Sequence, residues 1–169
     1  IPLRDTIASS TVPLVTYALM AANVAAYVYQ ESLGASFERF IEIHGLVPRR
    51  FVREWWDDST PLFSSMFLHG GWLHLLGNLL YLHIFGDNVE DRLGHARFLL
   101  LYVLAGAAGG VMQVASHPAS SVPMVGASGA IAGVTGAYLL FYPRARVVTL
   151  VPIFLFIQLV EIPAFFFLF

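Results

Sequence analysis

Two short stretches of the sequence contain residue types that could carry out acyl transfer. The stretch VGASGAIAG holds a single serine, Ser128, among glycines, alanines and aliphatic residues. The stretch LHGGWLHLLGN holds His69, His74 and Asn78. A serine hydroxyl can attack a carbonyl carbon, and histidine and amide side chains can supply the hydrogen bonds that such a reaction needs.

Both stretches also have a packing explanation. His74 and Asn78 are four residues apart, so they share a helix face and could join neighbouring helices by hydrogen bonds. Ser128 begins a pattern of small residues spaced by four, which favours close helix packing, and it could also cap its helix. In the catalytic alternative, the unpaired N–H groups at this helix start stabilise an oxyanion. Gly126 and Gly129 would then let a substrate backbone approach the hydroxyl without a clash.

The composition places these stretches in a membrane protein. The 169-residue chain is 57% hydrophobic and 12% charged, which is more apolar than a soluble domain of this size can accommodate. No Asp, Glu, Lys or Arg occurs between Thr6 and Gln30, or between Phe98 and Pro143. Because a membrane helix needs about 20 apolar residues, the first gap holds one span and the second holds two. The net charge of −2 gives no indication of nucleic-acid binding, and the lack of Cys excludes disulfides.

We therefore predict an all-α, polytopic membrane protein with one domain over residues 1–169. Five membrane helices are expected at roughly 11–30, 71–88, 97–115, 127–142 and 147–169. The long connection after the first helix carries half of the charged residues and the tandem Trp55 and Trp56, so we expect it at the bilayer interface. The chain stops inside the hydrophobic run FFFLF, which suggests a C-terminally incomplete domain.

The arginines in the short connections predict the orientation. The third connection has no arginine. The N-terminal segment and the second and fourth connections carry Arg4, Arg92, Arg97, Arg144 and Arg146. By the positive-inside rule these three segments are cytoplasmic. The starts of the second and fourth helices, which carry His74 and Ser128, then lie together on the outer face.

With both stretches at one depth on one face, the sequence resembles the rhomboid intramembrane serine proteases. Their motifs correspond to LHGGWLHLLGN and GASG, and FGDNVEDRLG is similar to the family's end of the second helix. The resemblance implies a rhomboid-like helical bundle of six membrane helices. It implies that Ser128 is the nucleophile, that His74, Asn78 and the backbone N–H of Ser128 form the oxyanion hole, and that His69 supports the site.

Two features depart from the family pattern. The general base of rhomboids is a histidine on a sixth membrane helix, beyond the five expected here, and neither His83 nor His117 is placed to replace it. Ala132 stands where rhomboids often have an aromatic residue that packs against that histidine. A serine hydroxyl without an adjacent base is a weak nucleophile, so the 169-residue chain as it stands is expected to be inactive.

Two classes of function therefore stay open. The first is an intramembrane serine endopeptidase that cleaves transmembrane substrates near the outer face of a bacterial-type cell membrane. The second is a non-catalytic rhomboid-like subunit that binds or positions other membrane helices in a larger complex. Its partners would be transmembrane substrates or complex subunits, within the lipid bilayer. No cofactor is expected, and the spacing of His69, His74 and His83 does not place three metal ligands on one helix face.

Overall fold

Four long helices occupy the first four predicted membrane segments. The structure is a computed structural model that describes residues 1–153 and 156–167. Its long helices are α1 (Leu14–Ser32), α5 (Trp72–Leu93), α6 (His95–Ser116) and α7 (Ser128–Phe141). A single residue, Gly94, joins α5 to α6 with a φ of 79°, a left-handed conformation that glycine adopts without strain.

The long connection between α1 and α5 folds into short helices rather than an open loop. They are α2 (Phe37–His44), α3 (Pro48–Glu54) and α4 (Thr60–Ser64), with 3₁₀ turns at Gly34–Ser36 and Ser65–Phe67. Trp55 and Trp56 follow α3, and both are exposed. An isolated bridge between Leu46 and Met124 ties this connection to the loop before α7. The interfacial position of the two tryptophans stays a prediction.

Small residues allow α6 and α7 to pack closely. A Cβ atom built on Gly109 of α6 would lie 3.1 Å from the Cα of Gly129 on α7, so a side chain at Gly109 would have to displace its neighbour. Large buried side chains fill the core around this contact: Phe85, Phe98, Tyr102 and Tyr138. Van der Waals packing of these rings favours one position of α7 against α5 and α6.

The prediction of a fifth helix at 147–169, and with it an all-α fold, is wrong for the described part of that segment. Residues 146–153 and 156–163 form a hairpin of the strands β2 (Arg146–Ile153) and β3 (Phe156–Pro163), followed by a 3₁₀ turn at Ala164–Phe167. Together with β1 (Pro2–Asp5), these strands form an antiparallel sheet in the order β1-β2-β3. Residues 154–155 and 168–169 lie outside the described residues.

Residue preference explains this difference. Strand β2 is rich in β-branched side chains, which favour strands over helices: Val147, Val148, Thr149 and Val151. Pro152 would also remove a hydrogen bond from the interior of a helix. In the hairpin, Arg146 pairs with Pro163 and Val148 pairs with Glu161. High hydropathy alone therefore gave the wrong type of secondary structure here.

The count of five spans is not confirmed. By length and composition, one helix among the described residues, α6, is long and apolar enough to cross a membrane. Helix α7 is apolar but shorter. The described residues are thus mostly helical, with a small sheet that joins the start of the chain to residues 146–163.

Candidate active site

The two predicted stretches lie at the same end of the bundle, which we call the serine end. Helix α5 begins at Trp72 and helix α7 begins at Ser128, and the two helices pack against each other. The backbone N–H of Gly126 donates to the carbonyl of Ser65 at 2.8 Å, which holds the loop before α7 in place. The start of α7 is therefore fixed relative to the start of α5.

All four polar residues that the sequence singled out form one hydrogen-bonded cluster. The Ser128 hydroxyl donates to Asn78 Oδ1 at 3.1 Å, and His74 Nε2 lies 3.4 Å from Ser128 Oγ. Asn78 Nδ2 lies 3.0 Å from His69 Nε2. His69 and Asn78 are buried, whereas Ser128 is exposed. The prediction that His74 and Ser128 approach each other across α5 and α7 is confirmed.

The hydrogen bonds of this cluster assign its protons. His69 Nδ1 lies 3.2 Å from the Phe67 carbonyl, which can only accept, so Nδ1 carries the proton. In a neutral His69 the other nitrogen, Nε2, then accepts from the Asn78 amide nitrogen. Asn78 consequently turns its oxygen to Ser128, and that oxygen accepts the serine proton. A lone pair of Ser128 Oγ is left to accept from His74 Nε2.

Burial keeps His69 neutral. Its removal from water, and to a lesser degree the nearby His74, lowers the pKa of His69 from 6.5 to about 4. At neutral pH the ring therefore has one N–H donor and one acceptor, as the proton assignment requires. The rings of His69 and His74 also meet edge to face, with centroids 5.1 Å apart.

Gly126 leaves a space onto which two nitrogens converge. Its φ is +118°, a conformation that L side chains rarely adopt. A Cβ atom at this position would lie 2.5 Å from His74 Nε2 and 3.5 Å from Asn78 Nδ2. The backbone N–H of Ser128, in the first turn of α7, has no partner within its own helix. Donors in this arrangement can bind an oxygen that gains negative charge.

Gly129 does not belong to this space. A Cβ atom built on Gly129 would lie 3.5 Å from the Cα of Gly109 and 3.6 Å from the carbonyl oxygen of Gly106, both on α6. The predicted role of Gly129 in substrate approach is therefore not supported by its position, which faces the neighbouring helix. Its position against Gly109 agrees with the packing alternative, in which small residues line the contact between α6 and α7.

A cleft of about 410 Å³ opens beside the serine, between α5 and α7. Its lining is mostly apolar: Leu73, His74, Gly77, Asn78, Tyr81, Ser128, Ile131, Ala132, Thr135 and Phe167. Gly77, which has no side chain, and Ala132, which has a small one, contribute to its width. Apolar clefts with a few polar groups are typical of ligand sites, and this size suits one or two amino-acid side chains.

Sequence reasoning did not single out several of the lining residues, among them Tyr81 and Phe167. Tyr81 lies seven residues after His74, so the helical repeat places it on the same face of α5 and could have identified it. Phe167 comes from the 3₁₀ turn after β3, which was predicted to be helical, so no sequence signal placed it here. His83 and His117 do not line the cleft.

Comparison with known proteins gives a consistent result. Residues 52–169 match the family model described as the rhomboid domain. The chain is 43% identical over 86 residues to "Putative rhomboid protease YdcA" of Bacillus subtilis. This matched region covers 51% of this chain and 41% of that protein. It is 36% identical over 130 residues to rhomboid protease GluP of the same organism, covering 75% of this chain and 24% of GluP.

Similarity extends to eukaryotic proteins. Rhomboid protein 1, mitochondrial, of Saccharomyces cerevisiae is 29% identical over 139 residues, covering 80% of this chain and 38% of the yeast protein. The matched regions make up less than half the length of each of these three relatives.

Proposed function

The chain belongs to the rhomboid family of intramembrane serine proteases, and from this premise we propose that it is an integral membrane endopeptidase with Ser128 as its nucleophile. Its substrates would be transmembrane proteins. The observation that carries the proposal is the position of Ser128 Oγ between Asn78 and His74, at the first residue of α7.

Each residue of the site then has a role in acyl transfer. Ser128 Oγ attacks the scissile carbonyl carbon, and its proton passes to a general base while the carbonyl oxygen becomes an oxyanion. His74 Nε2, Asn78 Nδ2 and the Ser128 N–H donate to that oxyanion in the space beside Gly126. The base returns the proton to the leaving amine, and water then releases the acyl group by the same steps in reverse.

The general base is the histidine that rhomboids carry on a sixth membrane helix. In the proton assignment of the resting site, Ser128 donates a hydrogen bond to Asn78 Oδ1. An amide oxygen is too weakly basic to remove the proton from the hydroxyl. His74 Nε2 donates to Ser128, so it cannot act as the base in this state. His69 supports the site by holding Asn78, with which it shares a hydrogen bond of 3.0 Å.

The substrate segment must be extended where it is cleaved. Helical amides are shielded and hydrogen-bonded, so a transmembrane helix that unwinds readily near the membrane surface is the expected substrate. The cleft beside Ser128 would receive an apolar side chain of that segment. By the distribution of arginine over short connections, the serine end would face outward and the N-terminus would be cytoplasmic. The proposed location is a bacterial-type cell membrane.

A second function, a non-catalytic subunit that binds or positions other membrane helices, is favoured by two observations. The distance of 3.4 Å from His74 Nε2 to Ser128 Oγ is long for a hydrogen bond between nitrogen and oxygen. Ala132, where many rhomboids have an aromatic residue, lies at the cleft. In this alternative, the same cleft would bind a partner helix without cleaving it.

A fluorophosphonate probe distinguishes the two functions. The protein is expressed from its complete gene, purified in detergent and incubated with the probe. We expect covalent labelling that Ser128→Ala abolishes, while Ser116→Ala, which alters an exposed serine bonded only within α6, keeps it. Absence of labelling in the folded wild-type protein would favour the non-catalytic subunit. Labelling that survives Ser128→Ala would assign the nucleophile elsewhere.

A further inference from the structure

A glutamine on α1 makes two hydrogen bonds to the backbone of His69. Gln30 lies near the end of α1, and its side chain is fully buried, at 0% exposure. The N–H of His69 donates to Gln30 Oε1 at 3.0 Å, and Gln30 Nε2 donates to the carbonyl of His69 at 3.1 Å. Both polar atoms of this side chain are therefore used on one residue that lies 39 positions further along the chain.

His69 depends on this contact because no helix holds its backbone. It lies between the 3₁₀ turn that ends at Phe67 and the start of α5 at Trp72. Its backbone N–H and C=O are not part of a helix or a sheet, and His69 is completely buried. A buried backbone group without a partner costs about 1–3 kcal/mol, so Gln30 stabilises this stretch in one conformation.

The contact connects α1 to the serine through hydrogen bonds that are linked by the covalent structure of His69 and Asn78. From Gln30, the series runs through the backbone of His69 to its ring, then to Asn78 and finally to Ser128 Oγ. Gln30 does not line the cleft, so it is not placed to touch a substrate there.

We propose that Gln30 is a positioning residue for Ser128, acting through His69 and Asn78. The inference rests on the proposed function, in which Ser128 is the nucleophile. When the Gln30 amide is removed, the loop that carries His69 is free to shift, and Asn78 loses the acceptor that orients its amide. Misplacement of a catalytic constellation by about 1 Å lowers rates by about 10²-fold.

The chemistry of the side chain defines the variants. Gln30→Met fills a similar volume but can neither donate nor accept at these positions. Gln30→Glu keeps an acceptor for the His69 N–H but loses the donor to its carbonyl. Gln113→Met is the matched control, because Gln113 is exposed near the end of α6 and has no part in the site.

The kinetic test measures inactivation by the fluorophosphonate in the protein from the complete gene. For Gln30→Met we expect a maximal inactivation rate about 10²-fold lower with unchanged half-saturation by the probe, and a smaller loss for Gln30→Glu. In a His69→Ala background, Gln30→Met should add little, because the two residues act in series. A full additional loss in that background, or an unchanged rate in the folded Gln30→Met protein, would overturn the proposal.

A spectroscopic readout separates this proposal from the proposed function. In protein labelled with ¹⁵N-histidine, the nitrogens of His69 are assigned from the signals lost in His69→Ala. We expect a protonated Nδ1 and an unprotonated, hydrogen-bonded Nε2 in wild type, and Gln30→Met should alter both signals while Gln113→Met should not. Unaltered signals would contradict the role of Gln30. If the signals change but Ser128→Ala is still labelled, Gln30 positions His69 and the assigned nucleophile is wrong.

Discussion

Helices α5 and α7 carry polar clusters at both ends, and the two clusters are built differently. At the serine end the partners are hydroxyl, amide and imidazole groups, and the distances are 3.0–3.4 Å. At the other end, which we call the carboxylate end, Glu90 is buried and accepts from the Val15 N–H, the Thr16 N–H and the Thr16 hydroxyl at 2.7–2.8 Å. The ring nitrogen Nδ1 of His95 also lies 2.5 Å from Glu90 Oε1.

A second carboxylate completes the carboxylate end. Asp5 of β1 accepts from the Tyr138 hydroxyl at 2.6 Å and from Asn88 Nδ2 at 2.9 Å. Tyr138 lies on α7, ten positions after Ser128, so one helix contributes to both clusters. The carboxylates tie α1 and β1 to α5 and α7, which are distant in sequence.

The carboxylate end holds the helices together, whereas the serine end leaves hydrogen-bond donors free for a ligand. Bonds to a charged carboxylate are shorter and stronger, so the carboxylate end fixes the helices. At the serine end, one N–H of Asn78 and the amide of Ser128 have no assigned partner in the described cluster. Preorganised donors that face an open cleft are what the stabilisation of an oxyanion requires. Four predictions test this division.

The largest expected effect is the loss of activity in Ser128→Ala without loss of stability. In the protein expressed from its complete gene, removing the proposed nucleophile should lower peptidase activity by about 10⁴-fold or more, because the parts of a serine site act together. The hydroxyl is exposed, so unfolding in a detergent titration should change by less than about 0.5 kcal/mol. A marked loss of stability would show that the serine end also holds the fold.

The reverse pattern is expected at the carboxylate end. Glu90→Ala leaves the N–H groups of Val15 and Thr16 without their acceptor, which should lower the free energy of unfolding by about 3 kcal/mol. Labelling per folded molecule should stay near that of wild type, since Glu90 lies at the far end of α5. Glu54→Ala, an exposed glutamate at the end of α3, is the control. A selective loss of labelling, with stability retained, would contradict the division.

The third prediction concerns the space beside Gly126. An alanine there would be strained at a φ of +118° and would place its Cβ 2.5 Å from the His74 ring. We expect labelling to fall by about 10²-fold, because one oxyanion donor is displaced. Gly34→Ala is the matched control, since Gly34 also has a positive φ, of 52°, but faces open space. Equal effects of the two substitutions would attribute the loss to backbone strain alone.

The sequence predicted the serine end well because helical spacing and family motifs act over short distances. His74 and Asn78 had to share a face of α5, and the matching depth of Ser128 followed from charge placement. The cluster at the carboxylate end was not found. Its members are far apart in the chain, and a single sequence does not show that Thr16 and Asp5 fold back onto the end of α5.

Residues 146–167 show the other limit of sequence reasoning. Their hydropathy satisfied the criterion for a membrane helix, but hydropathy does not separate a helix from a pair of apolar strands. The β-branched residues of β2 and Pro152 were the available signals, and their pairing with β3 and β1 is a tertiary property. Phe167 reaches the cleft only through that hairpin, so its position could not be predicted from the sequence.

The smallest expected effect is a dependence of stability on pH that comes from Asp5. Burial chiefly, with the Asp87 charge adding to it, raises the pKa of Asp5 from 3.8 to about 6. Between these two values the folded protein holds a proton that the unfolded chain has lost, so stability falls as pH rises from about 4 to about 6. Because Asp5 is only half-buried, solvent screening reduces the expected change to about 1 kcal/mol.

Asp5→Asn keeps an acceptor for Tyr138 but cannot ionise, so detergent unfolding of this variant should lose that slope, whereas the exposed Asp57→Asn should retain it. A slope that persists in Asp5→Asn would mean that another group at the carboxylate end titrates, and that Asp5 is bound there as a permanent charge.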